Sequence, residues 1–223
     1  MKSRPEIKAL AKQAFFEQRT TAILIMLILV LVSVFIGVLS ALVDRNSNAF
    51  VSFIFSITLS LITTSLSINV LCEFIKIYNH KNASIEPLFT TLFVNFPRKV
   101  GGMLWMGLWF MLWSFLFVIP GIIKLFSYSL TPFILADCPD VKARDALTLS
   151  KRMTNGYKME IFLFYLSWIG WLILSSLTFG ILYVIYVGPY MQTSYVGLYT
   201  ELRDKAINDG KVTKDELGIK TFT

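Results

Sequence analysis

The chain predicts an all-α fold, a polytopic transmembrane helical bundle of six spans with amphipathic helices on its inner surface. Two observations carry that expectation. The first is composition: 55% of the 223 residues are hydrophobic and only 16% are charged, too apolar a balance for an ordinary soluble domain of this length. The second is the sorting of charge. All but Arg45 and Lys124 of the 21 lysines and arginines fall into four segments. These lie before the first hydrophobic stretch, between the second and third, between the fourth and fifth, and after the sixth. Positively charged flanks stay on the cytoplasmic side of an inserting chain, so both termini are expected in the cytoplasm. The net charge of +7 is then explained by insertion and by anionic lipid headgroups of the inner face. Nucleic acid is not expected as a partner, because no basic and aromatic module accompanies the charge.

Residues 1–19 read as a cytoplasmic amphipathic helix lying on the inner surface. Ile7, Leu10, Ala11, Ala14 and Phe15 follow helical spacing, and Ser3 with Glu6 has capping-box spacing. The first span, 20–43, is long enough for the roughly 20 residues a bilayer requires, and it has no cleavage site that would make it a leader. After a loop of a few residues, the second span, 49–72, repeats Ser52, Ser56, Ser60 and Thr64 every fourth position. Small polar residues at that spacing let helices approach closely, so this face is expected to be the seam of the bundle. The third span, 100–118, carries Trp105, Trp109 and Trp113 as one stripe, the mark of tight packing or of contact with an amphiphilic ligand.

Pro120-Gly121 is expected to break the chain on the outer side. The fourth span, 122–136, is short, with Lys124 near its outer end, free to snorkel, and Pro132 near its inner end, where a bend is expected. An inner-surface helix, 140–154, follows, with Asp137 and Asp140 as candidate caps and a stripe of Ala143, Ala146, Leu147, Ser150 and Met153. The fifth span, 159–178, turns at Gly180. The sixth, 181–199, contains Gly188-Pro189, which kinks a helix and frees a backbone carbonyl. Tyr183, Tyr186 and Tyr190 line one side of it, and residues 200–223 form a polar cytoplasmic tail. Spans three and four and spans five and six echo each other in their tryptophans, glycine turns and Pro-aromatic pairs, a pattern of parallel repeats.

Catalytic chemistry is not legible. No Asp, Glu or His lies within the apolar part of any span, which argues against proton coupling. The single histidine, His80, cannot build a zinc site, and Cys72 and Cys138 stand at cytoplasmic helix ends where no disulfide is expected. A serine elbow, a phosphate loop and a dinucleotide fingerprint are all missing. The chain is therefore expected to be no enzyme, with no catalytic residue, metal ligand or cofactor.

The run Ile119-Pro120-Gly121-Ile122-Ile123-Lys124, with Ser127-Tyr128, Pro132, Leu135-Ala136-Asp137, Pro139, Ala143-Arg144, Ser150-Lys151 and Gly156, resembles a bacterial family of integral membrane proteins of unknown function. The resemblance continues through Phe162, Leu166-Ser167, Gly170-Trp171, Leu177-Thr178, Gly180, Pro189-Tyr190 and Tyr199. That family is mainly Gram-positive and is distantly similar to the membrane domain of some glycerophosphodiester phosphodiesterases. Lys142 stands where such sequences often carry serine. The resemblance implies a bacterial plasma-membrane location but no substrate.

The functional expectation is a non-enzymatic membrane protein that binds or handles an amphiphile, either a lipid or a membrane-active peptide. Tyr128, Trp171 and Tyr190 are the candidate ligand contacts, because each lies near a helix irregularity. The alternatives are an accessory subunit docking a partner membrane protein and a small-solute transporter, and the expected protein partner is another membrane protein or a second copy of the chain.

Overall fold

The computed structural model describes residues 2–116 and 118–219. Every regular element among them is helical. In chain order these are α1 (Arg4–Glu17), α2 (Arg19–Asn46), α3 (Ala49–Tyr78), α4 (Glu86–Thr90), α5 (Phe96–Leu116), α6 (Val118–Tyr128), α7 (Thr131–Asp137), α8 (Ala143–Met153), α9 (Lys158–Leu166), α10 (Ile169–Leu177), a π-helical turn (Tyr183–Val187) and α11 (Gly188–Asn208).

α1 starts where the sequence places it: the Glu6 carboxylate accepts the Ser3 backbone N–H at 2.7 Å, and Pro5 occupies the first turn, where no N–H is missed. Its apolar stripe is covered by protein. Ile7, Ala11, Ala14 and Phe15 are at most 1% exposed, packed chiefly on α11 and also on α3. Gly197 makes this meeting possible, since a Cβ there would stand 2.8 Å from the Tyr78 ring and 3.0 Å from Ile7. Absence of a side chain lets backbones approach closely. An ion pair of 2.8 Å between Lys2 and Glu201 ties the start of α1 to α11.

The packed core lies at one end of the molecule, which we call the base. It takes in α1, the second half of α3 from Ser65 to Ile77, α7, the apolar face of α8 and α11 from Gly188 to Ala206. Away from the base, helices leave as paired arms, α2 with α3, α5 with α6, and α10 with the π turn. The arms bury little. Leu31, Phe35, Val38, Leu42, Phe50 and Phe53 are exposed by 52 to 72%.

Breaks in the helices are repaired by side chains from neighbours. α6 stops at Tyr128 and α7 restarts at Thr131 with Pro132 in its first turn. Ser150 of α8 spans the gap: its Oγ donates to the Ser127 carbonyl at 2.9 Å and accepts the Leu130 N–H at 3.2 Å. Thr154 donates to the same Ser127 carbonyl at 3.2 Å. An orphaned buried backbone group costs about 1–3 kcal/mol. Ser150→Ala, which strands the Leu130 N–H, is therefore expected to destabilise the protein by about 2 kcal/mol, read as a lower midpoint of thermal unfolding in detergent. At the other Pro-bearing restart, the Gly188 N–H reaches back five residues to the Tyr183 carbonyl, so the expected kink is absorbed as a π turn. Both α7 and α11 thus restart with a proline in the first turn.

Several expectations are corrected. Among the described residues three helical segments, against the six expected, are long and apolar enough to cross a membrane: Arg19–Asn46, Ala49–Tyr78 and Lys158–Leu177. The fourth expected span is divided between α6 and α7, and the sixth is a π turn followed by a helix that turns polar and runs on to Asn208. Even the fifth is interrupted at Ser167-Trp168, between α9 and α10. Pro120 falls inside the first turn of α6 rather than at a break. Residue 117 of the third expected span and residues 220–223 of the tail lie outside the described residues. The serine face of α3 is covered only in part: Ser52 and Thr64 are half-buried, with the Ser52 hydroxyl covered, while Ser56 and Ser60 are exposed. Asp137 and Asp140 do not cap α8, whose N-cap is Lys142 without a side-chain hydrogen bond. Asp137 instead accepts from the Tyr199 hydroxyl at 2.8 Å and from the Arg203 guanidinium at 2.7 Å.

Candidate functional site

α5 and α6 form the tightest arm, and the reason is local. Gly121 of α6 faces α5 so closely that an added Cβ would stand 3.2 Å from the Ser114 Cα. The pair meets α8 and α9 at the base, and two depressions open against it, with Tyr128 lining both.

The first is an apolar groove of ≈ 450 Å³. Met106, Gly107 and Phe110 of α5, Leu125 and Phe126 of α6, Pro132 of α7 and Tyr165 of α9 form its walls. Phe126 is fixed by edge contact with Phe162, ring centres 5.6 Å apart. Tyr165 stacks closely on Tyr195, at 4.6 Å. The volume is in the range of small-molecule sites, and an apolar lining with few polar groups is what such sites share.

The second depression, of ≈ 310 Å³, is chemically different. Trp105, Trp109 and Trp113 form one wall, while Lys124, Arg144 and Lys151 stand around it. The Lys124 ammonium sits 4.3 Å from the centre of the Trp113 ring, and the Arg144 guanidinium 5.1 Å from that of Trp105. Both distances are within the reach of a cation–π attraction. Trp105 and Trp109 meet edge to face at 5.8 Å. Eight residues of helix separate Trp105 from Trp113, about 12 Å at 1.5 Å per residue, so Arg144 and Lys124 hold opposite ends of the wall. The short α6 brings Lys124 down toward α8, where Lys151 and Lys158 are near enough to repel its charge. Lys124 is half-buried and lies against the Trp113 ring. Asp145 is the one carboxylate lining this cleft, on the α8 turn beside Arg144.

The three sequence-predicted contacts separate. Tyr128 is buried between the two depressions, 5% exposed. Trp171 and Tyr190 lie apart from it, joined by Tyr186, whose ring is 5.7 Å from each. Tyr190 is a packing residue: its hydroxyl donates to the Lys8 carbonyl at 3.2 Å and its ring meets Trp168 at 4.9 Å. Trp171 remains over a third exposed, on the outside of α10. Sequence reasoning missed Arg144 and Lys151 as site residues. It placed them on a lipid-facing helix, and only the contact of α8 with α5 turns them onto the tryptophans. The tryptophan stripe was the signal that could have found them, since cations and indole faces attract.

No curated protein and no solved structure matches the chain. Residues 117–206, which include Lys124, Tyr128, Arg144 and Lys151 but not the tryptophan wall, match the model of a family described as a protein of unknown function (DUF975).

Proposed function

We propose that this protein is a multi-pass protein of a bacterial plasma membrane, with both termini cytoplasmic, that binds an amphiphile against α5 and α6. The exposed apolar arms support the membrane reading, since patches of that extent call for an apolar surrounding. Alternation of basic segments supports six crossings, with α5, the α6–α7 pair and the start of α11 completing the three long helices. Shortness of α6 is accommodated by local thinning of the bilayer.

One observation carries the amphiphile reading. Tyr128 is the shared wall of an apolar groove and a cationic, tryptophan-lined cleft, so a single molecule with an apolar and a polar part meets both of its preferences there. The test is mass spectrometry of organic extracts from gently purified protein, against a size-matched membrane protein. A defined lipid or peptide enriched in the wild type is expected to fall by about tenfold in Tyr128→Ala, a loss of about 1.4 kcal/mol. Tyr190→Ala is expected to lower stability without emptying the site. Bulk lipid alone in all samples contradicts the reading.

A second reading has its own observation. The exposed Ser56 and Ser60 of α3 leave a small-residue face open to a partner membrane protein. Replacing both serines with leucine abolishes a cross-linked partner and leaves the extracted amphiphile unchanged if that reading holds.

A further inference from the structure

We propose that the cleft between the tryptophan wall and α8 is a phosphoryl site, in which Lys124 and Lys151 bind the phosphoryl oxygens and Arg144 closes the far end. This deepens the amphiphile reading and rests on it: the phosphoryl group is the polar part of the molecule whose apolar part lies beyond Tyr128.

Charge in the cleft is unbalanced. Three cations line the cleft and one carboxylate, Asp145, shares it. Among the described residues Lys124, Arg144 and Lys151 make no ion pair and no side-chain hydrogen bond; Lys124 and Arg144 rest only on indole faces. Lys124 is additionally repelled by Lys151 and by Lys158. Like charges gathered beside an apolar wall are destabilising unless an anion joins them, and no acid on α5, α6 or α8 other than Asp145 reaches this place. Asp145 is on the Arg144 side, so the Lys124 and Lys151 end is the one without a counter-charge.

The chemistry of that anion follows from number and shape. A carboxylate carries one charge, which one lysine neutralises. A phosphate monoester carries about −1.5 to −2 at neutral pH and offers three acceptor oxygens, enough for two ammonium groups. Lysine acts on phosphate as a point charge, without a fixed orientation, which suits two flexible side chains arriving from different helices. Thr148, also lining the cleft, adds a hydroxyl donor. Two sources supply this chemistry, a lipid whose headgroup is a phosphate monoester and free phosphate.

The experiment titrates the full chain, held in dodecyl maltoside micelles, with dodecyl phosphate, dodecyl trimethylammonium or inorganic phosphate, following tryptophan fluorescence. Dodecyl phosphate is expected to give a saturable change, and Lys124→Gln with Lys151→Gln to weaken it at least tenfold, with unchanged thermal unfolding. Inorganic phosphate is expected to bind far more weakly. If inorganic phosphate binds as tightly as dodecyl phosphate, the phosphoryl site stands with free phosphate as its source and the amphiphile reading falls. If dodecyl phosphate and dodecyl trimethylammonium bind equally, and the double glutamine variant changes neither, the phosphoryl assignment is overturned while an amphiphile site remains. Absence of any saturable change with all three overturns both.

Discussion

Trp168→Ala is expected to cost about 3–5 kcal/mol of stability, the usual range for emptying a fully buried large aromatic site. Trp168 is 0% exposed and is the junction of three parts of the base. Its ring lies 4.9 Å from Tyr190 of α11 and carries the Lys8 ammonium of α1 at 4.2 Å. The chain segment around it closes the circuit, for Lys8 also donates to the Ser167 carbonyl at 3.5 Å. Loss of the ring therefore opens a cavity and frees α1 together. Trp168→Phe separates these effects from hydrogen bonding. The indole Nε1 is buried without a hydrogen-bond partner among the described residues, so phenylalanine gives up volume but no hydrogen bond, and a cost of only about 1–2 kcal/mol is expected. Thermal unfolding of both variants in detergent measures the difference. Equal losses would show that the indole N–H has a partner after all.

Arg98→Ala is the second large effect, at about 3 kcal/mol. Arg98, near the start of α5, donates Nε to the Val141 carbonyl at 2.6 Å, Nη1 to the Leu135 carbonyl at 3.1 Å, and Nη2 to the Cys138 carbonyl. These are carbonyls at and beyond the end of α7, which a helix leaves unpaired, and a guanidinium at a helix C-terminus also complements the dipole. One planar fork thus holds the segment that leads into α8. Lysine cannot replace it, because a single ammonium does not present donors to three separated carbonyls; Arg98→Lys is expected to recover less than half of the loss. The same variant loosens Arg144, only a few residues downstream of that clamp, so a lower affinity for dodecyl phosphate should accompany it.

What could be read from the residues divides along physical lines. The long helices were legible because they follow from a continuous apolar window, which depends only on local sequence. The α1 stripe was legible for the same reason, its helical period being local, although what it packs against was not. Asp137 shows the limit. A short-range rule made it a cap, but its partners, Tyr199 and Arg203, lie 62 and 66 residues away, and a charged, long-range pair wins over a local cap. The serine face, covered at Ser52 and Thr64 but exposed at Ser56 and Ser60, met a different limit. A seam presumes that helices pack over their full length, whereas in apolar surroundings nothing drives helices together hydrophobically, and beyond the base α2 meets only α3 and the π turn.

The candidate site was half legible. Tyr128 was singled out because Pro132 predicts a break just before it, and the break is there, with Tyr128 as the last residue of α6. Trp171 and Tyr190 were chosen by the same rule at the second hairpin, where the π turn absorbs the irregularity and Tyr190 is used for docking α1. Arg144 and Lys151 stayed hidden, because a basic helix beside a membrane reads as lipid-facing until α5 is seen to cover it.

The proposed function requires the base in the cytoplasm and the arm tips across the membrane. Labelling of intact cells with an impermeant maleimide tests this directly, using single cysteines introduced at Asn48, Phe179 and Asn155 and the wild type as background. Phe179 is 97% exposed at the tip between α10 and the π turn, and Asn48 is the N-cap of α3 at the opposite arm. Native Cys138 adds little label, since burial pushes its thiol up to about 11. Cysteines at 48 and 179 are expected to label from outside, and the one at 155 only after permeabilisation. Labelling of 155 in intact cells, or protection of 179, would contradict the placement.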